Sequence, residues 1–330
     1  MRRFAVRFLS GFLIVVALCA AGASWWAWRS FNAPGPLSEP ATVIVPKGVG
    51  VRTIAARLAD AGVIDNAFLF VLGTRVTDLA HRMHAGEFAF EAHMSMRAVA
   101  EHLVGGETVK RRLTIPEGLT SAEIAALIGT ADGLSGTLAQ PPGEGTLLPE
   151  TYFFSYDDGR AELVRRMQEA MDQALAEAWA GRRKNIAIDT PEQALILASI
   201  IEKETGVSSE RARVSAVFHN RLRRGMRLQS DPTVVYAITG GTGPLGRPLT
   251  RTDLGVDSPY NTYQSDGLPP GPIANPGRAS LAAAVNPADT KELYFVADGN
   301  GGHVFARTLR EHNRNVARWR RLMRERQDRP

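Results

Sequence analysis

The residues best placed to do chemistry are two carboxylates at the end of an apolar stretch. Ala194-Leu195-Ile196-Leu197-Ala198-Ser199-Ile200-Ile201-Glu202-Lys203-Glu204-Thr205 is nearly free of polar side chains until its last turn. Read as a helix, Glu204 continues the stripe of Leu197, Ile200 and Ile201, and Glu202 that of Leu195, Ala198 and Ser199, about 200° apart on the wheel. Two carboxylates so placed do not share a proton. On the buried stripe, at the negative end of the helix dipole, the Glu204 anion is disfavoured and its pKa is expected to rise. A carboxyl protonated near neutral pH is what a general acid for glycosidic cleavage requires. The same residues also read as an ordinary solvated last turn, so their surroundings must decide.

Thr190-Pro191-Glu192-Gln193 opens this helix with an N-cap threonine, a first-turn proline and a glutamine three residues on, a capping box, and Gly206 is positioned to close it. The helix is expected to be buried and central. Downstream, a helix over 209–223 contains Asn220. Then follow Gln229-Ser230-Asp231-Pro232-Thr233-Val234-Val235-Tyr236, Ser258-Pro259-Tyr260-Asn261-Thr262-Tyr263 and Gly267-Leu268-Pro269-Pro270-Gly271-Pro272-Ile273. Tyrosines beside asparagines and glutamines suit sugars, whose apolar faces stack on rings while their hydroxyls need hydrogen bonds. Equally, Ser230-Asp231-Pro232 reads as a helix N-cap and 258–277 as a turn-rich loop.

At 330 residues, 44% hydrophobic and 22% charged, the chain has material for about two globular domains. Its one cysteine, Cys19, excludes an internal disulfide, a cysteine-rich zinc site and an iron–sulfur cluster. The net charge of +5 divides into +4 over residues 1–29, +6 over 307–330 and −5 for the body between them. An acidic body argues against a nucleic-acid-binding core. His81 and His84 are three apart without an evident third ligand, His303 follows Gly301-Gly302 near the candidate cleft, and the glycines follow no phosphate-binding fingerprint; no metal and no cofactor is expected. The arginine-rich end reads as a basic helix, solvated or touching anionic polymer.

From Phe8 to Trp28, 21 residues carry no charge. As a helix they span about 31 Å, the thickness of a bilayer's hydrocarbon core. Arg2, Arg3 and Arg7 precede the run, and Trp25, Trp26 and Trp28 end it at interfacial depth. The expectation is a retained anchor with the N-terminus cytoplasmic and the body outside. The rival, a cleaved signal peptide with Ala21-Gly22-Ala23 as its site, exports the body equally. Pro34, Gly35, Pro36 and Pro40 mark 30–40 as an extended linker.

Residues 43–64 and 113–134 repeat one pattern with six identities in 22 positions, Pro46/Pro116 and Gly48/Gly118 among them: short strand, Pro-x-Gly turn, amphipathic helix. With a helix over 66–79, a strand over 86–90 and a helix over 94–104, the first copy opens a strand–helix–helix–strand unit, the order of small LysM-type glycan-binding modules. The fold class expected is α+β: anchor 1–29, linker 30–40, a LysM-like module 41–110 and a mixed α+β domain 111–330 around the buried central helix.

Several motifs, taken together and in order, resemble the membrane-anchored endolytic murein transglycosylases, the YceG-like family. They are Leu148-Pro149-Glu150-Thr151-Tyr152, Ala198 to Thr205, Phe218-His219-Asn220-Arg221-Leu222, Met226 to Val234, Tyr260-Asn261-Thr262-Tyr263, Gly267 to Ile273 and Leu293-Tyr294-Phe295-Val296. The family often has aspartate where Glu150 stands and threonine where Ser230 stands; both changes keep the polar group. The resemblance implies a bacterial inner-membrane enzyme with a periplasmic domain, peptidoglycan glycan strands as substrate, and Glu204 as catalytic acid. It implies cleavage between N-acetylmuramic acid and N-acetylglucosamine to leave 1,6-anhydromuramoyl ends, terminating chain growth, with penicillin-binding synthases as partners. Glu150, Asn220, Gln229, Ser230, Asp231, Tyr260, Asn261 and Tyr263 are the candidates to bind the glycan. The alternative is a non-catalytic anchor that binds glycan and recruits synthases; it would tolerate loss of Glu204.

Overall fold

The computed structural model describes residues 2–327, with side chains over 10–326. It is mixed α and β. Helix α1 (Arg2–Asn32) is followed by β1 (Ala41–Val45), α2 (Val51–Asp60), α3 (Ala67–Val76), β2 (Gly86–Phe90), α4 (Met96–Gly105) and β3 (Arg111–Thr114). Next come α5 (Ser121–Thr130), β4 (Leu134–Ser135), β5 (Thr151–Phe154), β6 (Asp158–Gly159), α6 (Arg160–Ala180) and α7 (Pro191–Glu204). The chain ends with α8 (Arg211–Arg223), α9 (Asp231–Thr239), α10 (Arg278–Val285), β7 (Tyr294–Ala297), β8 (His303–Ala306) and α11 (Leu309–Gln327). Two compact units result: residues 1–111 with 153–158, and 112–152 with 159–330. The division runs through β3 and β5.

In the first unit β1 and β2 pair antiparallel, Ala41 opposite Phe90 and Val45 opposite Gly86. Their inward residues Val43, Val45, Phe88 and Phe90 meet Ile54 and Leu58 of α2, Phe70 of α3 and Val99 and Leu103 of α4 in one core. Alternation along the strands and three-to-four spacing along the helices produce that apolar face. Asn66 and Ser95 cap α3 and α4 by accepting from Leu69 N and Ala98 N. The apolar N-terminal helix is long enough to cross a membrane over Ser10–Asn32. Its last turn belongs to the core: Phe31 is 5% exposed. The segment after it, expected as an extended tether, is held in place. Gly35 N donates to His93 O, His93 N donates to Leu37 O, and a Cβ on Gly35 would strike Met94 O. Proline content foretold extended backbone, but extended backbone with docked hydrogen bonds is not slack.

Both copies of the repeat fold as strand, turn and helix, β1–α2 and β3–α5. Gly48 and Gly118 occupy the same left-handed conformation, φ 77° and 76°, which is why the turn carries glycine in each. In the second copy Thr120 completes a capping box with Glu123.

In the second unit α7 packs against its neighbours. Leu197, Ala198, Ile200 and Ile201 are fully buried against Phe218 of α8, Leu281 and Val285 of α10, Met171 of α6 and Ile273. Thr190 accepts from Gln193 N as an N-cap, while the Gln193 side chain accepts from Asp189 N, one residue earlier than a capping box requires. Gly206 does not close the helix. It ends at Glu204 with Thr205 in extended conformation, and Thr205 Oγ1 accepts from Val207 N. Ser199 Oγ donates to Ile196 O and accepts from Ile273 N at 3.0 Å, tying the Gly267–Ile273 loop to the middle of α7. His219, fully buried, accepts from Ala187 N at Nδ1 and meets Ala284 O from Nε2 at 2.8 Å, so it is neutral and its pKa is pushed down by burial. Strands β7 and β8 form a hairpin, Tyr294 opposite Ala306.

Candidate active site

The last turn of α7 sends its two glutamates into different environments, as the wheel requires. Glu202 is bound up in structure. Its carboxylate accepts from Gly277 N at 2.9 Å and pairs with Arg211 at 3.4 Å, and its side chain is only 5% exposed. Arg211 also reaches Glu117, whose pKa is raised by burial and by the neighbouring Glu202. Between the glutamates, Lys203 donates to Gly118 O, the glycine of the repeated turn. Glu204 instead lies in the wall of a cleft of about 410 Å³.

Ser230 holds the Glu204 carboxyl. Its hydroxyl donates to Glu204 Oε1 at 2.5 Å. Ser230 stands at the N-cap position of α9, but its side chain makes no capping bond; the hydroxyl serves the glutamate instead. Its backbone is fixed by Thr262, which accepts from Ser230 N at 3.0 Å and shares a hydrogen bond with Thr233 Oγ1. The pKa of Glu204 is pushed up to about 7. Removal of the carboxyl from water is the main cause, and the nearby Asp231 charge adds to it. The Ser230 hydrogen bond, His303 and Arg221 act in the opposite sense. His303 is paired with Glu210 at 2.7 Å rather than lying in the cleft.

The remaining candidates sort themselves by their partners. Gln229, Asp231 and Tyr263 line the cleft with Glu204. Tyr263 donates its hydroxyl to Asp231 Oδ1 at 2.6 Å, which pushes the tyrosine pKa upward together with burial. Gln229 is held in a left-handed conformation, φ 51°, with its backbone N–H donating to Thr262 O. The other four have partners within the protein. Asn220 donates to Thr290 O and Glu292 O, fastening the chain ahead of β7. Asn261, fully buried, donates to Leu254 O and Val256 O and accepts from Tyr263 N. Tyr260 packs on Tyr236 with ring centroids 4.8 Å apart. Glu150 pairs with Arg278 at 2.7 Å. A polar residue in a loop satisfies buried carbonyls as readily as it meets a ligand, and residue type alone does not distinguish the two.

Sequence reasoning missed the opposite wall. Arg221 donates to Leu293 O and Leu228 O, its guanidinium 5.2 Å from the Tyr294 ring centroid. Tyr294 in turn stacks on His312 at 5.1 Å. Arg221 and Tyr294 both lie within motifs already singled out. Leu309, His312 and Val316 of α11 complete the wall. Helix α11 thus forms part of the cleft wall with residues 309–316, ahead of the arginine-rich end beyond about residue 318. The signal was the three-to-four spacing of Leu309, His312, Val316 and Trp319 among the nine arginines of 307–330.

A sequence profile described as the YceG-like family matches residues 43–318. A protein of Bacillus subtilis (strain 168) named endolytic murein transglycosylase is 32% identical over 302 residues, 82% of each chain. One of the same name from Streptococcus pneumoniae serotype 2 is 29% identical over 94% of this chain and 64% of its own length. A crystal structure of a YceG-like protein from Listeria monocytogenes superposes with a TM-score of 0.51 at 32% identity, covering 84% of this chain and 99% of the other.

Proposed function

The chain belongs to the YceG-like family, and on that premise we propose that it is an endolytic murein transglycosylase with Glu204 as its catalytic residue. The observation that carries this reading is the Glu204 carboxyl itself: in a cleft wall, on a single hydroxyl donor, with its pKa near 7. A general acid works best with its pKa near the working pH. A cleft of about 410 Å³ is in the range of ligand-sized pockets.

The substrate in this reading is the glycan strand of peptidoglycan. With Oε1 accepting from Ser230, the proton of Glu204 belongs on Oε2. That proton passes to the glycosidic oxygen between N-acetylmuramic acid and N-acetylglucosamine. The bond from that oxygen to C1 breaks, and N-acetylglucosamine leaves as an alcohol. The C6 hydroxyl of the muramoyl residue attacks C1 and gives its proton to the Glu204 carboxylate, which regenerates the acid. The product ends in 1,6-anhydromuramic acid, and no water is consumed. Having the nucleophile inside the sugar supplies much of the rate, since effective molarity from fixed orientation is worth up to about 7–11 kcal/mol. The N-acetyl group stabilises charge at C1, so one carboxyl suffices. Arg221 and the Ser230 hydroxyl favour the ionised form of Glu204 that the first proton transfer creates.

Gln229, Asp231 and Tyr263 are assigned to glycan contact, and Glu150, Asn220, Tyr260 and Asn261 to positioning the loops around it. Residues 41–110 are assigned as the LysM-like glycan-binding module, 30–40 as the linker and 111–330 as the catalytic domain. Helix α1 is read as the anchor, with its N-terminus cytoplasmic and both units outside, where penicillin-binding synthases deliver new strands. A non-catalytic scaffold has no use for an acid tuned to neutral pH. Mass spectrometry of purified peptidoglycan digested by the full chain tests the proposal. Anhydromuramoyl ends are expected; reducing muramoyl ends would show hydrolysis, with Asp231 activating water, and would overturn it.

A further inference from the structure

Helix α3 of the first unit buries Leu69 and Phe70 but turns a second apolar stripe outward. Phe68, Leu72 and Val76, four residues apart, are 74%, 42% and 79% exposed. Three large apolar side chains in a row on a ten-residue helix are an uneconomical surface for a protein in water.

The place of this stripe says what covers it. Helix α1 crosses α3 in direct contact: the Phe31 ring lies so close over Gly73 that a Cβ there would fall 2.4 Å from its atoms. Leu72, Val76 and Thr77 share one groove with Ser24, Ala27 and Trp28. Ser24 lies inside the apolar run, five residues before Arg29, or about 7.5 Å nearer the membrane centre along the helix axis. The C-terminal end of α3 therefore stands level with the tryptophans at the end of the run. On its other side the stripe borders a groove flanked by Arg52 and Arg75, and neither makes an ion pair among the described residues. An apolar stripe edged by free cations, at the depth of an aromatic belt, matches the headgroup and acyl boundary of an anionic bilayer.

We infer that α3 is an interfacial helix that docks the first unit on the membrane surface, with Phe68, Leu72 and Val76 in the acyl boundary and Arg52 and Arg75 on lipid phosphates. The inference rests on reading α1 as a retained membrane span. It makes the module part of the membrane interface and not a domain swinging from a tether.

Single cysteines test it in the full chain with Cys19→Ser. Phe68→Cys and Val76→Cys are labelled with an environment-sensitive fluorophore, beside Leu18→Cys within the span and Asp172→Cys on the exposed face of α6. The protein is reconstituted in vesicles of three parts phosphatidylethanolamine to one part phosphatidylglycerol, carrying shallow or deep spin-labelled lipid. Labels at 68 and 76 are expected to be quenched by shallow spin labels at least about threefold more than the label at 172, and that at 18 by deep ones. If 18 is quenched while 68 and 76 behave like 172, the docking is refuted and the span stands. If 18 is also unquenched, the span reading fails and the docking with it. If 68 and 76 are shielded from aqueous iodide yet unreached by the lipid quencher, a second protein copy covers the stripe and the inference is overturned.

Discussion

Replacing Glu204 by glutamine should abolish activity and, above neutral pH, stabilise the fold. The carboxyl has a pKa near 4.5 when exposed and about 7 in the cleft. Below pH 4.5 both states hold the proton, and the group imposes no penalty. As pH rises, the unfolded chain releases its proton first, so the native state loses relative stability until its own carboxyl ionises near 7. At about 1.36 kcal/mol per unit, the full penalty is about 3 kcal/mol, and about 2 once the part-exposure of the side chain at the cleft is discounted. Glutamine is isosteric and its carbonyl still accepts from Ser230, but it carries no such penalty. Chemical denaturation of wild type and Glu204→Gln, followed by circular dichroism, should show a gain for the variant below about 1 kcal/mol at pH 5 and of about 2–3 kcal/mol at pH 8. An equal difference at the two pH values would refute the claim that Glu204 is held protonated by its surroundings.

Activity of the wild type should fall as pH rises through about 7, since the chemistry begins from the protonated acid; a rate that keeps rising to pH 9 would exclude that role. Ser230→Ala removes the hydrogen bond that holds the Glu204 pKa down, so the alkaline limb of the pH–rate profile should move upward, with a lower rate at its plateau. Arg211→Leu leaves the Glu202 carboxylate buried without its cation and should cost about 3–5 kcal/mol in a denaturation experiment. His219→Leu orphans Ala187 N–H and Ala284 C=O and should cost about 2–5 kcal/mol; in a temperature series it should lose stability without altering the pH profile of the protein that remains folded.

The sequence was most legible where one physical rule acted alone. The apolar run of α7, the long apolar helix containing Trp25, Trp26 and Trp28, the strand over 86–90 and the helix over 160–180 each follow from periodicity or composition. The separation of Glu202 from Glu204 follows from helical geometry, and their different fates are what that geometry allows. The repeat predicted two like turns, and Gly48 and Gly118 share one backbone conformation. Legibility ended where a side chain has two competing uses. Ser230 reads as a cap and donates to Glu204, whereas Asn220 and Asn261 read as candidates to bind glycan and their side-chain amides donate to backbone carbonyls. Nothing in residue type ranks those uses; only the tertiary neighbours do. Among the nine arginines of 307–330, the three-to-four spacing of Leu309, His312 and Val316, which line the cleft, is hard to see. Over 30–40, proline fixes φ, but it does not say whether the extended chain finds partners.

The central claim is tested most directly by digesting purified peptidoglycan with wild type, Glu204→Gln and Glu202→Gln, with folding of each checked by circular dichroism. Anhydromuramoyl ends are counted by mass spectrometry. Such ends are expected from wild type, none from Glu204→Gln, and ends of the same chemistry from whatever fraction of Glu202→Gln stays folded. Anhydromuramoyl ends from folded Glu204→Gln at the wild-type rate would contradict the central claim.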